Sequence, residues 1–116
     1  MLYLDLARVL ADQGDEASNR TAISRAYYAV FCSIRNRLKQ QGTLPRVRRG
    51  RSRHRIVWDH LRASERTHEK LLGERGARLQ NHRQRADYED TLTDLPRMVE
   101  TALLTAEQML EGAKRL

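Results

Sequence analysis

One apolar stripe dominates the second segment of the chain. Its members recur at intervals of three and four residues, in the order Ile23, Ala26, Tyr27, Val30, Phe31, Ile34 and Leu38. Because an α-helix completes a turn every 3.6 residues, these side chains share one face over about four and a half turns. The stripe predicts a long amphipathic helix that ends near Gly42.

Three further patterns predict the helices on either side of this stripe. They span residues 2–13, 54–63 and 67–87, and their apolar faces consist of Leu2, Leu6, Val9 and Leu10, then Val57, Trp58 and Leu61, then Leu71, Leu72, Leu79 and Ala86. Gly73 and Gly76 weaken the third of these patterns, because glycine disfavours the interior of a helix.

A capping box predicts the start of the last helix. It runs from Thr91 to Asp94, with aspartate in place of the usual glutamate, and Pro96 then falls in the first turn, where proline is tolerated. The apolar face of this helix consists of Leu95, Val99, Leu103, Ala106 and Leu110. No strand-like alternation, internal repeat or low-complexity tract is present. The sequence therefore predicts an all-α, four- to five-helix up-and-down bundle in one domain over residues 1–116.

Length and cysteine content narrow the setting of the protein. No apolar run approaches the roughly 18 residues of a membrane-spanning helix, and the N-terminal segment lacks the basic start of a signal peptide. Cys32 is the only cysteine, so an intrachain disulfide is excluded. We therefore expect a cytoplasmic protein without a membrane partner.

The chain is strongly basic, with a formal net charge of +7 and 19 arginines against 3 lysines. Surplus positive charge favours polyanionic partners, above all nucleic acid. The loop at residues 42–55 concentrates this charge and is the candidate nucleic-acid-binding segment, through Arg46, Arg48, Arg49, Arg51, Arg53, His54 and Arg55. Two interpretations remain open: a solvated connection, or a surface for the RNA backbone. Because the loop has no aromatic residue, base stacking is not expected there.

Two short motifs resemble those of the HEPN domain family (higher eukaryotes and prokaryotes nucleotide-binding). SRAYYAVF, at residues 24–31, fits an R-x-YY-x-x-F segment, and RQRADY, at residues 83–88, fits R-x-x-A-D-Y. Their order and spacing are similar to those of the small bacterial branch, in which a histidine often opens the third helix, at the place of His54 here. The resemblance covers about residues 17–112.

The resemblance implies a helical bundle that forms a homodimer, with a composite site built from the motifs of two subunits. Many family members are metal-independent ribonucleases that act as toxins, often encoded beside a nucleotidyltransferase or another antitoxin. For this chain it implies RNA or a nucleotide as ligand and a cognate nucleotidyltransferase or antitoxin as partner. It also implies that Arg25 and Tyr28 line a cleft towards the motif helix, which carries Asp87. The alternative is that Tyr28 belongs to the core or to the dimer interface.

The chain departs from the catalytic motif of the family, which is an arginine followed after four to six residues by a histidine. Alignment on A-D-Y makes Arg83 the motif arginine and places Tyr88 at the histidine position. Arg75 and His82 also fit the spacing, but in so arginine-rich a chain such a match has no discriminating power.

Metal-free cleavage of RNA needs a base, an acid and cations around the phosphate. Histidine suits acid–base work near neutral pH, whereas a tyrosine with a pKa near 10 does not, and arginine binds phosphate through its planar fork. The candidate catalytic residues are therefore Arg83, Tyr88 and, as a substitute base, His82. Three interpretations of residues 81–90 remain open: the polar end of a helix, a phosphate- or nucleotide-binding site, or a weak ribonuclease site. The rival functions are a non-catalytic partner subunit and a helical protein-interaction module.

No metal site or cofactor is expected. The four histidines form no zinc-binding pattern, and the chain has no glycine-rich phosphate-binding motif.

Overall fold

The computed structural model describes residues 3–116, which form five α-helices and no β-strand. They are α1 (Tyr3–Gln13), α2 (Glu16–Gln40), α3 (Arg53–Arg62), α4 (Thr67–Tyr88) and α5 (Leu95–Ala113). The predicted all-α bundle is confirmed. None of the helices in this range has the length and apolar content of a bilayer span.

Helix α2 lies at the centre of the bundle, where it packs against α1, α4 and α5, while α3 packs mainly against α4. Every member of the predicted stripe on α2 is buried, with a relative exposure of 3 % or less. The Asp15 side chain caps the helix by accepting a hydrogen bond from the Ser18 amide at 3.0 Å. Gly42 follows the C-terminus with φ +72°, a conformation that favours glycine.

Helix α1 turns a different face to the core from the one predicted. Its buried side is centred on Leu4, Ala7 and Ala11, which recur at helical spacing, and Val9 is 49 % exposed. The prediction for Val9 is therefore wrong, whereas Leu6 and Leu10 are half-buried. Leu2, predicted on the same face, lies outside the described residues.

Two glycines allow α3 and α4 to approach closely. A Cβ atom on Gly76 would overlap the Trp58 ring, and one on Gly73 would lie 2.7 Å from the Arg62 backbone nitrogen. The residues that weaken α4 as an isolated helix are thus the ones that let Trp58 become 99 % buried against it, at 1 % relative exposure. Leu71, predicted on the apolar face of α4, is 41 % exposed, and Leu72 beside it is buried.

Helix α5 begins later than the predicted capping box. Its N-cap is Asp94, without a capping side-chain hydrogen bond, so the assignment of Thr91 as the cap is wrong. The start is set by burial instead, because Leu95 and Met98 in the first turn are both buried. Pro96 lies in that turn, as predicted.

The connection between α2 and α3 covers residues 41–52 and is shorter than the predicted loop. Ser52 caps α3 by accepting a hydrogen bond from the Arg55 amide at 3.1 Å. This cap draws Arg53, His54 and Arg55 into the first turn of the helix, where their side chains point in different directions.

Candidate functional site

The motif residues of α2 and α4 meet around the Tyr28 ring, at a junction of the two helices that we call the α2–α4 cleft. The Arg25 guanidinium carbon, from α2, lies 5.3 Å from the centre of that ring, and the Arg83 guanidinium carbon, from α4, lies 5.5 Å from it. Arg83 also lies 5.8 Å from the centre of the Tyr27 ring, and Arg25 lies 5.8 Å from that of Tyr3. Cations over aromatic faces are attracted by the ring quadrupole, so the tyrosines hold both arginines in place.

Apart from the aromatic rings, few groups compensate the two guanidinium groups for the burial of their charge and N–H donors. The Nε atom of Arg83 lies 3.2 Å from Oδ2 of Asp87, one turn further along α4. This contact is an ion pair but not a hydrogen bond. The Nε atoms of Arg83 and Arg25 are both buried, and neither has a hydrogen-bond partner within residues 3–116. A buried unsatisfied donor costs about 1–3 kcal/mol, and more when the group is charged.

A chain of hydrogen bonds runs behind the cleft, through Trp58, Tyr27 and His54. The Trp58 indole N–H donates to the Tyr27 hydroxyl at 3.0 Å, and that hydroxyl lies 2.7 Å from Nδ1 of His54. The tautomer of His54 determines whether the Tyr27 hydroxyl donates to Nδ1 or accepts from it. The other ring nitrogen of His54, Nε2, takes no part in this chain of hydrogen bonds, and the ring is half-buried.

Burial and neighbouring charge favour the neutral forms of Tyr27 and His54. Burial raises the pKa of Tyr27 above its usual range, and the hydrogen bond from Trp58 only partly opposes this. The pKa of His54 is lowered by burial first and then by the positive charges of Arg83, Arg35 and Arg53. The lowered pKa favours the neutral form of His54 near pH 7.

His54 was predicted together with the loop arginines, but it lies in this aromatic cluster. Its ring stacks on Phe31 with 3.9 Å between centroids and 20° between planes. Because of this stacking, the His54 ring packs against α2 and is not exposed with the loop arginines.

The other two candidate catalytic residues lie apart from the cleft contacts. Tyr88 is the last residue of α4 and is 76 % exposed. Arg83 contacts Asp87, Tyr27 and Tyr28, and Tyr88 is not among its contacts within the chain. His82 is half-buried. Its pKa is lowered, mainly by burial and then by the positive charges of Arg85 and Arg78.

Arg20, which the sequence reasoning missed, fixes the end of the motif helix. Its Nη1 atom donates to the carbonyl oxygens of Ala86 and Glu89, at 2.8 and 2.6 Å, and its Nη2 atom donates to that of Asp90 at 3.2 Å. The last carbonyls of a helix have no partners within the helix and carry partial negative charge, so a cation there is favourable. No local sequence signal distinguishes Arg20 from the other arginines.

Tyr27, Trp58 and Phe31 were also missed as site residues, because all three fit an apolar stripe. One signal was available for two of them. Tyrosine and tryptophan each carry a polar atom that needs a partner when buried, and His54 lies one turn before Trp58 on the same helix.

The loop arginines present their charge to solvent. Arg46, Arg48, Arg49, Arg51, Arg53 and Arg55 are all exposed. The described residues place a carboxylate within ion-pair distance of Arg51 alone among these six, at 4.0 Å from Asp59. In the same part of the chain, no three His, Cys, Asp or Glu side chains gather into a metal-ligand set.

A comparison with known families identifies the family of the chain. The model of the HEPN domain matches residues 2–116. The chain belongs to the HEPN domain family. HEPN domains are known for RNA-binding and ribonuclease roles, and they commonly form dimers. No curated protein and no solved structure matches this HEPN domain.

Proposed function

We propose that this HEPN domain binds RNA and holds one phosphate of the strand in the α2–α4 cleft. The observation that carries the proposal is the pair of guanidinium groups, from Arg25 and Arg83, that converge on Tyr28. Their buried Nε atoms make no hydrogen bond within residues 3–116. Guanidinium forks match phosphate oxygens in geometry and charge. A bound phosphate would supply the acceptors that the cleft lacks.

Each residue has a defined part in this proposal. Arg83 and Arg25 donate to the phosphate, and Asp87 and Tyr28 orient them. Arg20 is a positioning residue, because it holds the end of α4. Ribonuclease activity is weak, since Tyr88 replaces the usual histidine.

The exposed arginines between α2 and α3 extend the binding surface along the strand. Each contact with a phosphate releases a counterion, so the affinity of the protein for RNA should fall with salt. Arg46, Arg48 and Arg49 changed together to serine should reduce the slope of log K against log salt by about 2, at roughly 0.7 for each single-strand phosphate. An unchanged slope would assign the loop a purely connecting role.

We propose that the exposed Tyr88 lies at the interface of a homodimer, in which the motif helices of two copies face each other. The hydroxyl of one copy would then support the phosphate that Arg83 of the other copy holds. A toxin–antitoxin role with a cognate nucleotidyltransferase or another antitoxin rests on the family alone, as does the rival role of a non-catalytic partner subunit.

The decisive experiment compares two arginines of opposite environment. Arg83→Ala should weaken binding of a single-stranded RNA in fluorescence anisotropy by about tenfold or more, the size expected for a lost charged hydrogen bond. Arg97→Ala removes the same charge from an 80 % exposed side chain on α5 and should have little effect. Equal losses of RNA affinity in the two variants would show that the protein binds RNA through its overall positive charge and would contradict the proposal.

Cleavage is tested on the same RNA in EDTA. We expect slow or undetectable cleavage by the wild-type protein, abolished in Arg83→Ala, and faster cleavage in Tyr88→His, which restores the family motif. Tyr88→Phe examines the hydroxyl alone, and His82→Ala the substitute base. Rapid cleavage that survives Arg83→Ala would place the active site elsewhere.

A further inference from the structure

A second concavity lies between α3 and α4, on the side of Trp58 away from its hydrogen bond with Tyr27. Its volume is about 360 Å³, within the range of small-ligand sites. Trp58 and Ala77 are its apolar lining residues, and its other lining residues are polar.

The walls combine positive charge with amide groups. Arg55 and Arg62 line it from α3, and Gln80, Asn81 and Gln84 line it from α4. No carboxylate is among the lining residues, although Asp59 pairs with Arg62 at the rim. None of the three amides forms a side-chain hydrogen bond within residues 3–116, so each has a donor and an acceptor available.

This chemistry fits one unpaired nucleotide. An amide presents one donor and one acceptor side by side, the combination that pairs with the edge of a base. Single-stranded RNA exposes such edges when its bases are unstacked. The arginines supply the charge that the attached phosphate requires.

The concavity is continuous with the arginine-rich connection. Ser52 and Arg55 also line a neighbouring depression of about 530 Å³, together with Gly50, Arg51 and Asp59, and Asp59 lies within ion-pair distance of Arg51 and Arg62. A strand whose backbone lies on the exposed arginines can therefore place a base between α3 and α4 without crossing the rest of the protein.

We propose that the α3–α4 concavity is a base-reading subsite that takes one unpaired nucleotide of the bound RNA through Gln80, Asn81 and Gln84. The proposal rests on the proposed RNA-binding function and adds base selectivity to it. The α2–α4 cleft holds phosphate, which is the same in every nucleotide, so selectivity has to come from another surface.

The experiment measures binding of fluorescein-labelled oligoadenylate, oligocytidylate and oligouridylate of equal length at one low salt concentration. The wild-type protein should prefer one of the three by about tenfold, the size of a good base contact. Asn81→Ala combined with Gln84→Ala, both exposed residues, should bring the three affinities together. Gln40→Ala combined with Gln108→Ala removes two exposed amides from α2 and α5 and should preserve the preference.

The outcomes separate this inference from the proposed function. Binding with equal affinity for the three strands, or a preference unchanged in the α4 double variant, overturns the base-reading subsite and leaves RNA binding intact. Absence of binding to all three strands overturns both. Saturation by nucleoside monophosphates alone, lost in the α4 double variant, would instead show a site for a free nucleotide and overturn the assignment to a strand.

Discussion

Tyr27 shows how far one residue can serve two roles. It belongs to the apolar stripe of α2 and is fully buried, yet its hydroxyl joins Trp58 to His54. The spacing of the stripe predicts its burial. It says nothing of the hydroxyl, because the partners come from α3, and α2 is separated from α3 by a connection of irregular conformation.

Removing that hydroxyl should destabilise the fold. In Tyr27→Phe the buried Trp58 N–H loses its acceptor, and such an orphaned donor costs about 1–3 kcal/mol in the free energy of unfolding. Urea denaturation measures this loss. Tyr28→Phe, one residue away, removes a hydroxyl outside this hydrogen-bond chain and should change the free energy by no more than about 0.5 kcal/mol. Equal losses would contradict the role of the Tyr27 hydroxyl.

Stability should rise with pH between about 5 and 7. The pKa values of His54 and His82 are both lowered in the folded state, so the unfolded chain binds protons first as the pH falls below the ordinary histidine value near 6.5. The stabilising contribution is present above that value and is lost as the pH decreases towards the folded pKa. The free energy of unfolding, measured by urea denaturation across this range, tests the sign.

Single substitutions apportion the pH effect. His54→Gln should reduce the slope of the free energy of unfolding against pH, and His82→Gln should reduce it separately. A slope that survives the combined loss of His54 and His82 would assign it to other groups.

At the scale of the helix, α4 is the element whose role the sequence least reveals. Its two glycines weaken its intrinsic helix propensity, but they allow α3 to pack closely against it. Its C-terminus depends on Arg20 from α2. Propensity describes a helix in isolation, and both of these interactions come from other helices.

The substitution Gly76→Ala separates propensity from packing. Propensity alone predicts a gain of about 1 kcal/mol, whereas overlap of the new methyl group with the Trp58 ring predicts a loss of about 1–3 kcal/mol or more. We expect the loss, seen as a lower midpoint of urea denaturation. At Gly112 the added methyl group would lie 3.1 Å from Cδ2 of Leu72, at the flexible end of a side chain. Gly112→Ala should therefore stay within about 1 kcal/mol of the wild type.

The agreement between sequence and helices follows the strength of the apolar pattern. The stripe on α2 is long and every member is buried, so its period specifies the face without ambiguity. On α1 a run of leucines, valine and alanine fits more than one face, and only packing against α2 selects Leu4 and Ala7 over Val9. The start of α5 was misplaced because polar residues before a helix offer several caps, and burial of Leu95 decides among them.

At the scale of the whole molecule, the candidate site was foreseen only in part. The two motifs named Arg25, Tyr28, Arg83 and Asp87, and the structure brings these four together. The sequence could not place Tyr88 outside that group, because its exposure follows from where α4 ends. Nor could it place His54 in the aromatic cluster, because the cap at Ser52 decides which residues enter α3.

The assembly is the last prediction. We expect light scattering to show a homodimer at micromolar concentration, as is common for HEPN domains. Tyr88→Arg adds charge to the exposed end of α4 and should shift the equilibrium towards monomer if the motif helices face each other, while Leu104→Arg tests another exposed apolar residue, on α5. A monomer in the wild type would remove the basis for a composite site.

Trp58 is the only tryptophan in the chain; its indole N–H donates to Tyr27, and the residue also lines the α3–α4 concavity. Its emission spectrum is therefore a local signal in a protein that carries no second indole to obscure it. Exposure of this ring to water on unfolding should shift the emission to longer wavelength. Since the ring is held by residues of α2 and α4, the spectrum reports whether these helices keep their contact with α3. Optical spectroscopy of the unlabelled protein can thus follow the integrity of these contacts through a single chromophore.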